Sequence, residues 1–167
     1  MRHINIELLE SEQRIAKFLA KYKLQQCKVQ NYQGHVVGKD SQEVIDLESI
    51  GSELAAAKLL NVWPDLDHSI AEAHDFYYNG YTVDVKVTKY PNGRLILAPY
   101  KKGEKSCDYY ILMVGKFPKY TFIGAASKQE LIDEKNLGSL GYNKIYMLPQ
   151  DKLKSFKEFV DETKTGT

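Results

Sequence analysis

The stretch DFYYNGYTVDVK, Asp75 to Lys86, decides how the chain is read. Asn79-Gly80 at its centre is a strong signal for a two-residue hairpin loop, and the flanking aromatic and β-branched residues favour strands. With those two residues in the loop, Tyr78 opposes Tyr81, Tyr77 opposes Thr82, Phe76 opposes Val83 and Asp75 opposes Asp84. Directly opposed residues share a face, with Cβ atoms about 5 Å apart. Alternation along the strand returns Lys86 to the face of Asp84. Asp75, Asp84 and Lys86 are therefore expected on one small patch, with Tyr77 and Thr82 the next pair toward the turn. Phe76, Val83, Val85 and Val87 are expected to point the other way, into a core. Register is decisive, because a slip of one residue sends Asp75 to the opposite face.

Two unit charges about 5 Å apart repel by about 3 kcal/mol at an effective dielectric of 20. A fold accepts that only when something offsets it, and a divalent cation does. Aspartate carboxylates are the hard oxygen ligands that Mg²⁺ or Mn²⁺ prefer. A nearby lysine can hold an attacking water or stabilise charge growing on a phosphate. The plain alternative is a solvated hairpin face on which Lys86 neutralises the acids. The second, opposed aspartate and an acidic helix upstream weigh against that alternative.

Helices and strands surround the hairpin in a readable order. Glu7 to Tyr22 has an amphipathic helical pattern, with Leu8, Leu9, Ile15, Phe18 and Leu19 on one face. A polar connection follows, with a short strand expected at His35–Val37. SQEVIDLESIGSELAAAKLLN predicts a second helix with Ser41 as N-cap and Gly51 as a potential interruption, strongest over Ser52 to Asn61. After the hairpin, RLILAPY and KYTFIGAA read as strands, and the apolar run DYYILMVG reads as a buried central one. Ser127 and Glu130 have capping-box spacing for a short helix. KIYMLP is a last strand, and Asp151 to Thr163 a terminal helix facing inward through Leu153, Phe156, Phe159 and Val160, with a fraying tail. The class is α/β, with a central mixed β-sheet flanked by helices in a single domain over residues 1–167. The core spans about 41–126, and the N- and C-terminal helices are peripheral.

The 167 residues carry a net charge of +1, so no global basic field announces a nucleic-acid partner. A chain of this length buries roughly two-thirds of its unfolded surface without staples. Cys27 and Cys107 form neither a zinc pattern nor a disulfide framework, and reduced thiols are expected. The N-terminus lacks the apolar core of a signal peptide, and no apolar run approaches the ~20 residues that span a bilayer. The expected setting is intracellular and cytoplasmic with no membrane partner, a phage-encoded protein acting in its host included.

Asp84-Val85-Lys86, the preceding Asp75 and the helix residue Glu53 in GSELAAAKLLN resemble the PD-(D/E)xK nuclease superfamily, the restriction-endonuclease-like fold. The resemblance covers roughly Ile50 to Ala126. It implies a metal-dependent nuclease, an endonuclease first of all, hydrolysing phosphodiester bonds in DNA with Mg²⁺ or Mn²⁺. It implies Asp75, Asp84, Glu53 and the carbonyl of Val85 as metal ligands and Lys86 as the group that positions the water. Homodimers are common among such nucleases. Asp65 of the literal Pro64-Asp65 is a rival to Asp75, with eighteen residues between it and Asp84. Asp75 is preferred because hairpin geometry sets it opposite Asp84, whereas Asp65 belongs to a loop. Glu43 and Glu48 are rivals to Glu53, but both read as solvated positions.

His68 and His74 read as surface residues or phosphate contacts. Lys89, Arg94, Lys101, Lys102 and Lys105, with Tyr90 and Tyr100 among them, suit either a sugar-phosphate backbone or a solvated loop. Tyr77, Tyr78 and Tyr81 suit base stacking or cross-strand packing. Neither a nucleophile–base pair nor a Gly-rich phosphate loop is present. Two alternatives stand beside the nuclease: a nuclease-like fold that binds nucleic acid or protein without cutting, and a sugar- or nucleotide-phosphate enzyme with a similar carboxylate site.

Overall fold

The computed structural model of the chain describes residues 3–29, 41–66, 74–99 and 106–165. The expected strand at His35–Val37, His68, the basic and aromatic residues Tyr100, Lys101, Lys102 and Lys105, the Cys27 side chain and the last two residues of the tail lie outside them. Strand β1 (Ile4–Glu7) leads into helix α1 (Glu10–Val29) and helix α2 (Gln42–Leu60). The hairpin is β2 (Phe76–Tyr78) and β3 (Tyr81–Thr88). β4 (Leu95–Leu97), β5 (Tyr109–Lys116), β6 (Lys119–Ser127), α3 (Lys128–Leu131), β7 (Leu137–Leu140), β8 (Asn143–Leu148) and α4 (Phe156–Thr165) complete the order.

A mixed five-stranded sheet runs β1-β6-β5-β3-β2, and a small antiparallel sheet runs β4-β8-β7. β5 is central, as its unbroken apolar run predicts, and the β3–β5 pair is parallel. A parallel pair needs a crossover, and here the chain makes it by visiting the second sheet as β4. The hairpin register is the expected one: Tyr78 pairs with Tyr81, Tyr77 with Thr82 and Phe76 with Val83. Asn79 and Gly80 both take positive φ, as such a loop requires.

Alternation divides the sheet into two faces. Phe76, Val83, Val85, Ile111 and Met113 pack against Ala55, Ala56, Ala57 and Leu60 of α2 and Phe159 of α4. Tyr110, Leu112 and Ala126 face the other way, onto Leu95, Leu97 and Leu148 of the small sheet and Leu131 of α3. Helices thus flank the mixed sheet, and the small sheet shares one of its faces. No helix among the described residues is long and apolar enough to cross a membrane.

Several expectations are corrected. The first helix runs over Glu10–Val29 rather than Glu7 to Tyr22, and Glu7 closes a strand, because Ile4 and Ile6 alternate with polar residues and pair with β6. The inward face of α1 is Ala16, Leu19 and Ala20, packed on Ile50. Leu9, Ile15 and Phe18 are exposed by 61%, 46% and 69%. Alanines let two helices approach closely, so small side chains win the interface over bulkier ones. β4 leaves the hairpin's sheet, and β7 was not anticipated. Ser41 caps α2 and Ser127 forms the capping box with Glu130, both as expected.

Gly51 does not interrupt α2, which runs unbroken through it. A Cβ there would stand 2.3 Å from the Tyr120 hydroxyl and 2.9 Å from the Phe117 ring. Glu48, one turn away, is no solvated position: its carboxylate accepts the Phe117 N–H at 2.9 Å and the Tyr120 hydroxyl at 3.2 Å. Burial and Glu48 together hold the Tyr120 phenol well above its ordinary range. Gly51→Leu separates the two readings by sign. A glycine that merely weakens the helix gains up to about 1 kcal/mol on replacement. The packing seen here costs about 1–3 kcal/mol instead. Tm in a thermal melt is expected to fall by about 2–4 °C per kcal/mol.

Candidate functional site

The site forms where the edge strand β2 leaves the sheet. The hairpin ladder ends at Phe76 and Val83. One residue earlier, the Asp75 N–H still donates to the Val83 carbonyl at 2.8 Å. The side chain then takes over from the backbone: Asp75 Oδ2 accepts the Val85 N–H at 2.6 Å. The Asp75 carbonyl accepts the Asp65 N–H at 2.8 Å, which seats the Pro64-Asp65 loop against the same corner. Asp75 thus opposes Asp84 as a side chain reaching across rather than as a ladder partner. In a strand the N–H and C=O of one residue point the same way, so the Val85 carbonyl faces this corner too.

Asp84 and Lys86 project together from β3, in register with Tyr110 and Leu112 of β5. Lys86 Nζ lies 3.0 Å from Asp84 Oδ1 in a hydrogen bond and 2.7 Å from Oδ2. The Oδ2 contact is ionic only, because that buried oxygen has no hydrogen-bond partner. The Asp84 side chain keeps 14% of its surface and Lys86 keeps 38%. Glu53 projects from α2 and is 6% exposed, and its Oε1 accepts the Ser49 hydroxyl at 2.9 Å.

The electrostatics mark Asp75 as the crowded member. Burial, then the Glu53 and Asp84 charges, hold its carboxyl well above the usual range, opposed by the Val85 N–H and Lys86. Burial also raises Asp84, against the pull of Lys86. Asp75 therefore feels both the helix acid and the strand acid. Among the described residues, no group of three His, Cys, Asp or Glu side chains stands ready to hold a metal ion. Lys86, Ser49 and the Val85 N–H each engage an oxygen of the three acids. The donor set nevertheless fits a hard divalent cation: carboxylate oxygens, a backbone carbonyl, and one buried carboxylate oxygen with no hydrogen bond.

Two neighbours escaped the sequence reading. Ser49 orients Glu53 from one helical turn back, and the i, i+4 spacing of a hydroxyl and an acid is its signal. Cys107 is buried, and burial, Asp84 and Asp75 push its thiol up to about 12. Nothing in the sequence marks it, because a crossover brings it there. Lys89, Tyr90 and Arg94 are exposed beyond the far end of β3, with Lys89 Nζ 5.9 Å from the Tyr90 ring centre.

Comparison with protein-family models, with curated proteins and with solved structures finds no match for this chain.

The raised carboxyl of Asp75 fixes a sign. Its folded form holds a proton more tightly than the unfolded chain, whose aspartates titrate near 3.9. The stability it contributes is complete below about pH 4 and is lost as pH rises through the folded value. Asp75→Asn removes that loss and keeps an oxygen for the Val85 N–H. The variant is expected to melt a few degrees above the native chain at pH ~7.5, within the ~0.5–2 kcal/mol typical of such relief. The gap should close toward pH ~4. A variant that melts lower than the native chain at both pH values contradicts the assignment of strain to this carboxyl.

Proposed function

We propose that the chain is a metal-dependent nuclease hydrolysing phosphodiester bonds, with DNA as its substrate and endonucleolytic cutting as its mode. The observation that carries this reading is the desolvated Asp75 carboxylate held between Glu53 and Asp84, beside a lysine two residues along the strand. Burying like charges side by side costs stability, and a fold gains nothing structural from it. Membership of the PD-(D/E)xK superfamily and a restriction-endonuclease-like core belong to the same proposal. The order of a glutamate-bearing helix, a hairpin bearing Asp75 and Asp84-Val85-Lys86, and a following central strand supports them.

In this reading Asp75, Asp84 and the Val85 carbonyl hold Mg²⁺ or Mn²⁺, with Glu53 joining from the helix. When held there, such an ion would supply Lewis-acid activation of a water and of a phosphoryl oxygen. Lys86, released from Asp84, orients the attacking water and donates to a non-bridging phosphate oxygen as charge builds there. Asp75 serves twice, as a ligand and as the clasp that aligns Val85. Ser49 keeps Glu53 turned toward Asp75. Lys89 and Arg94 attract the phosphate backbone from outside.

A second reading has its own observation. Lys86 already neutralises Asp84, and no ready group of three metal-ligating side chains is described. A nuclease-like fold that binds nucleic acid or protein without cutting would be built that way. Incubation of supercoiled plasmid, duplex and single-stranded DNA, and RNA with Mg²⁺ or Mn²⁺ separates the two. Cleavage by the native chain is expected, with Asp84→Ala and Lys86→Ala each slower by about 100-fold or more. Glu53→Gln is expected to lose less, since of the two aspartates its charge acts on Asp75 and not on Asp84. Equal cutting by Asp84→Ala and Lys86→Ala removes this site from the chemistry. Binding without any cleavage selects the second reading.

A further inference from the structure

The three tyrosines of the hairpin part company in the structure. Tyr78 stacks on Phe159 with ring centres 5.5 Å apart, and Tyr81 meets Tyr109 edge-on at 5.3 Å. Both belong to the apolar face. Tyr77 instead pairs with Thr82, which places it on the face of Asp84 and Lys86. It is 59% exposed. The His74 ring lies 4.5 Å from it at an interplanar angle of 63°. His74 reaches that position because the chain bends at Asp75, between His74 and the strand that carries Tyr77. Thr82 in turn is fixed by Asp108, whose Oδ2 accepts both its N–H and its hydroxyl at 2.8 Å. The strand under Tyr77 is therefore anchored, and a solvent-facing aromatic surface stands two residues along β3 from the acids. At about 3.4 Å per residue that is about 7 Å, a gap a single nucleotide bridges.

We infer that Tyr77, braced by His74, is a stacking platform that seats an unpaired nucleobase beside the phosphodiester held at Asp75 and Asp84. The inference rests on the proposed nuclease function and adds the form of its substrate: single-stranded or locally unpaired nucleic acid next to the cut. An aromatic ring accepts any base face, so the platform selects for unpairing rather than for sequence. A base within a duplex is stacked on its own neighbours and must leave them to reach Tyr77.

The test uses single-stranded DNA and RNA oligonucleotides carrying 2-aminopurine, with matched duplexes. Binding is followed by anisotropy in the presence of EDTA, and stacking by quenching of the 2-aminopurine. Cleavage is followed in parallel with Mn²⁺. Native protein is expected to bind the single strand more tightly than the duplex and to quench the probe. Tyr77→Ala is expected to bind at least about 5-fold more weakly and to lose the quench. Tyr77→Phe should retain both. Tyr142→Ala, at a fully exposed tyrosine on the β7–β8 turn, should match the native chain. Circular dichroism confirms that each variant folds. Comparison of the DNA and RNA arms identifies which strand the platform serves. Unchanged binding and quenching in Tyr77→Ala, or equal affinity for duplex, overturns the platform while leaving any cleavage in place. A native chain that neither binds nor cuts any of these substrates overturns the nuclease reading and the platform with it.

Discussion

The arrangement depends on one hydrogen bond, from the Val85 N–H to Asp75 Oδ2. A hydrogen bond of this kind contributes about 0.5–1.5 kcal/mol net. It stands where the backbone ladder of the hairpin stops, and it substitutes a side chain for the missing carbonyl. The Asp75 N–H bond to the Val83 carbonyl holds the backbone beside β3, and this second bond fixes where the carboxyl points. With it, the carboxylate is carried into a desolvated corner beside Glu53 and Asp84, where burial and like charge both disfavour ionisation. The same contact aligns the strand and loads the site.

The rest of the molecule supports that corner from both faces of the sheet. On one face the run Ala55, Ala56 and Ala57 lets α2 lie close against Val83 and Val85, which brings Glu53 within electrostatic reach of Asp75. On the other, the small sheet fills the space beneath Tyr110 and Leu112, and Cys107 lies close enough for its thiol to feel both aspartates. Polar groups gather where the edge strand peels away, between two well-packed apolar clusters. Strained polar groups at the margin of a rigid scaffold are the usual setting for chemistry.

What the sequence made legible follows from range. The hairpin register needed only Asn79-Gly80 and an alternation over eight flanking residues, so every paired residue of the turn was readable. The buried β5 announced itself by composition, and the caps at Ser41 and Ser127 by spacing. On α1, hydrophobicity alone favours Phe18 for the inward face, whereas close helix approach favours Ala16 and Ala20. The role of Glu48 was hidden because its partners lie 69 and 72 residues away. β4 resembled its neighbours locally, and only the tertiary pairing with β8 assigns it to another sheet. Asp75 and Asp84 were readable as a pair. That the Asp75 side chain reaches the Val85 N–H where the ladder ends was not, since strand periodicity assumes a ladder that continues.

Glu48 and Glu53 share one helix, about 7.5 Å apart along its axis. The first is bonded to Phe117 in the turn between β5 and β6 and to Tyr120 of β6, and the second lies within electrostatic reach of Asp75. A helix is stiff along its length, so the far turn acts as a depth stop that sets how far the second carboxylate advances. Changes near Phe117 can therefore retune this corner from a distance.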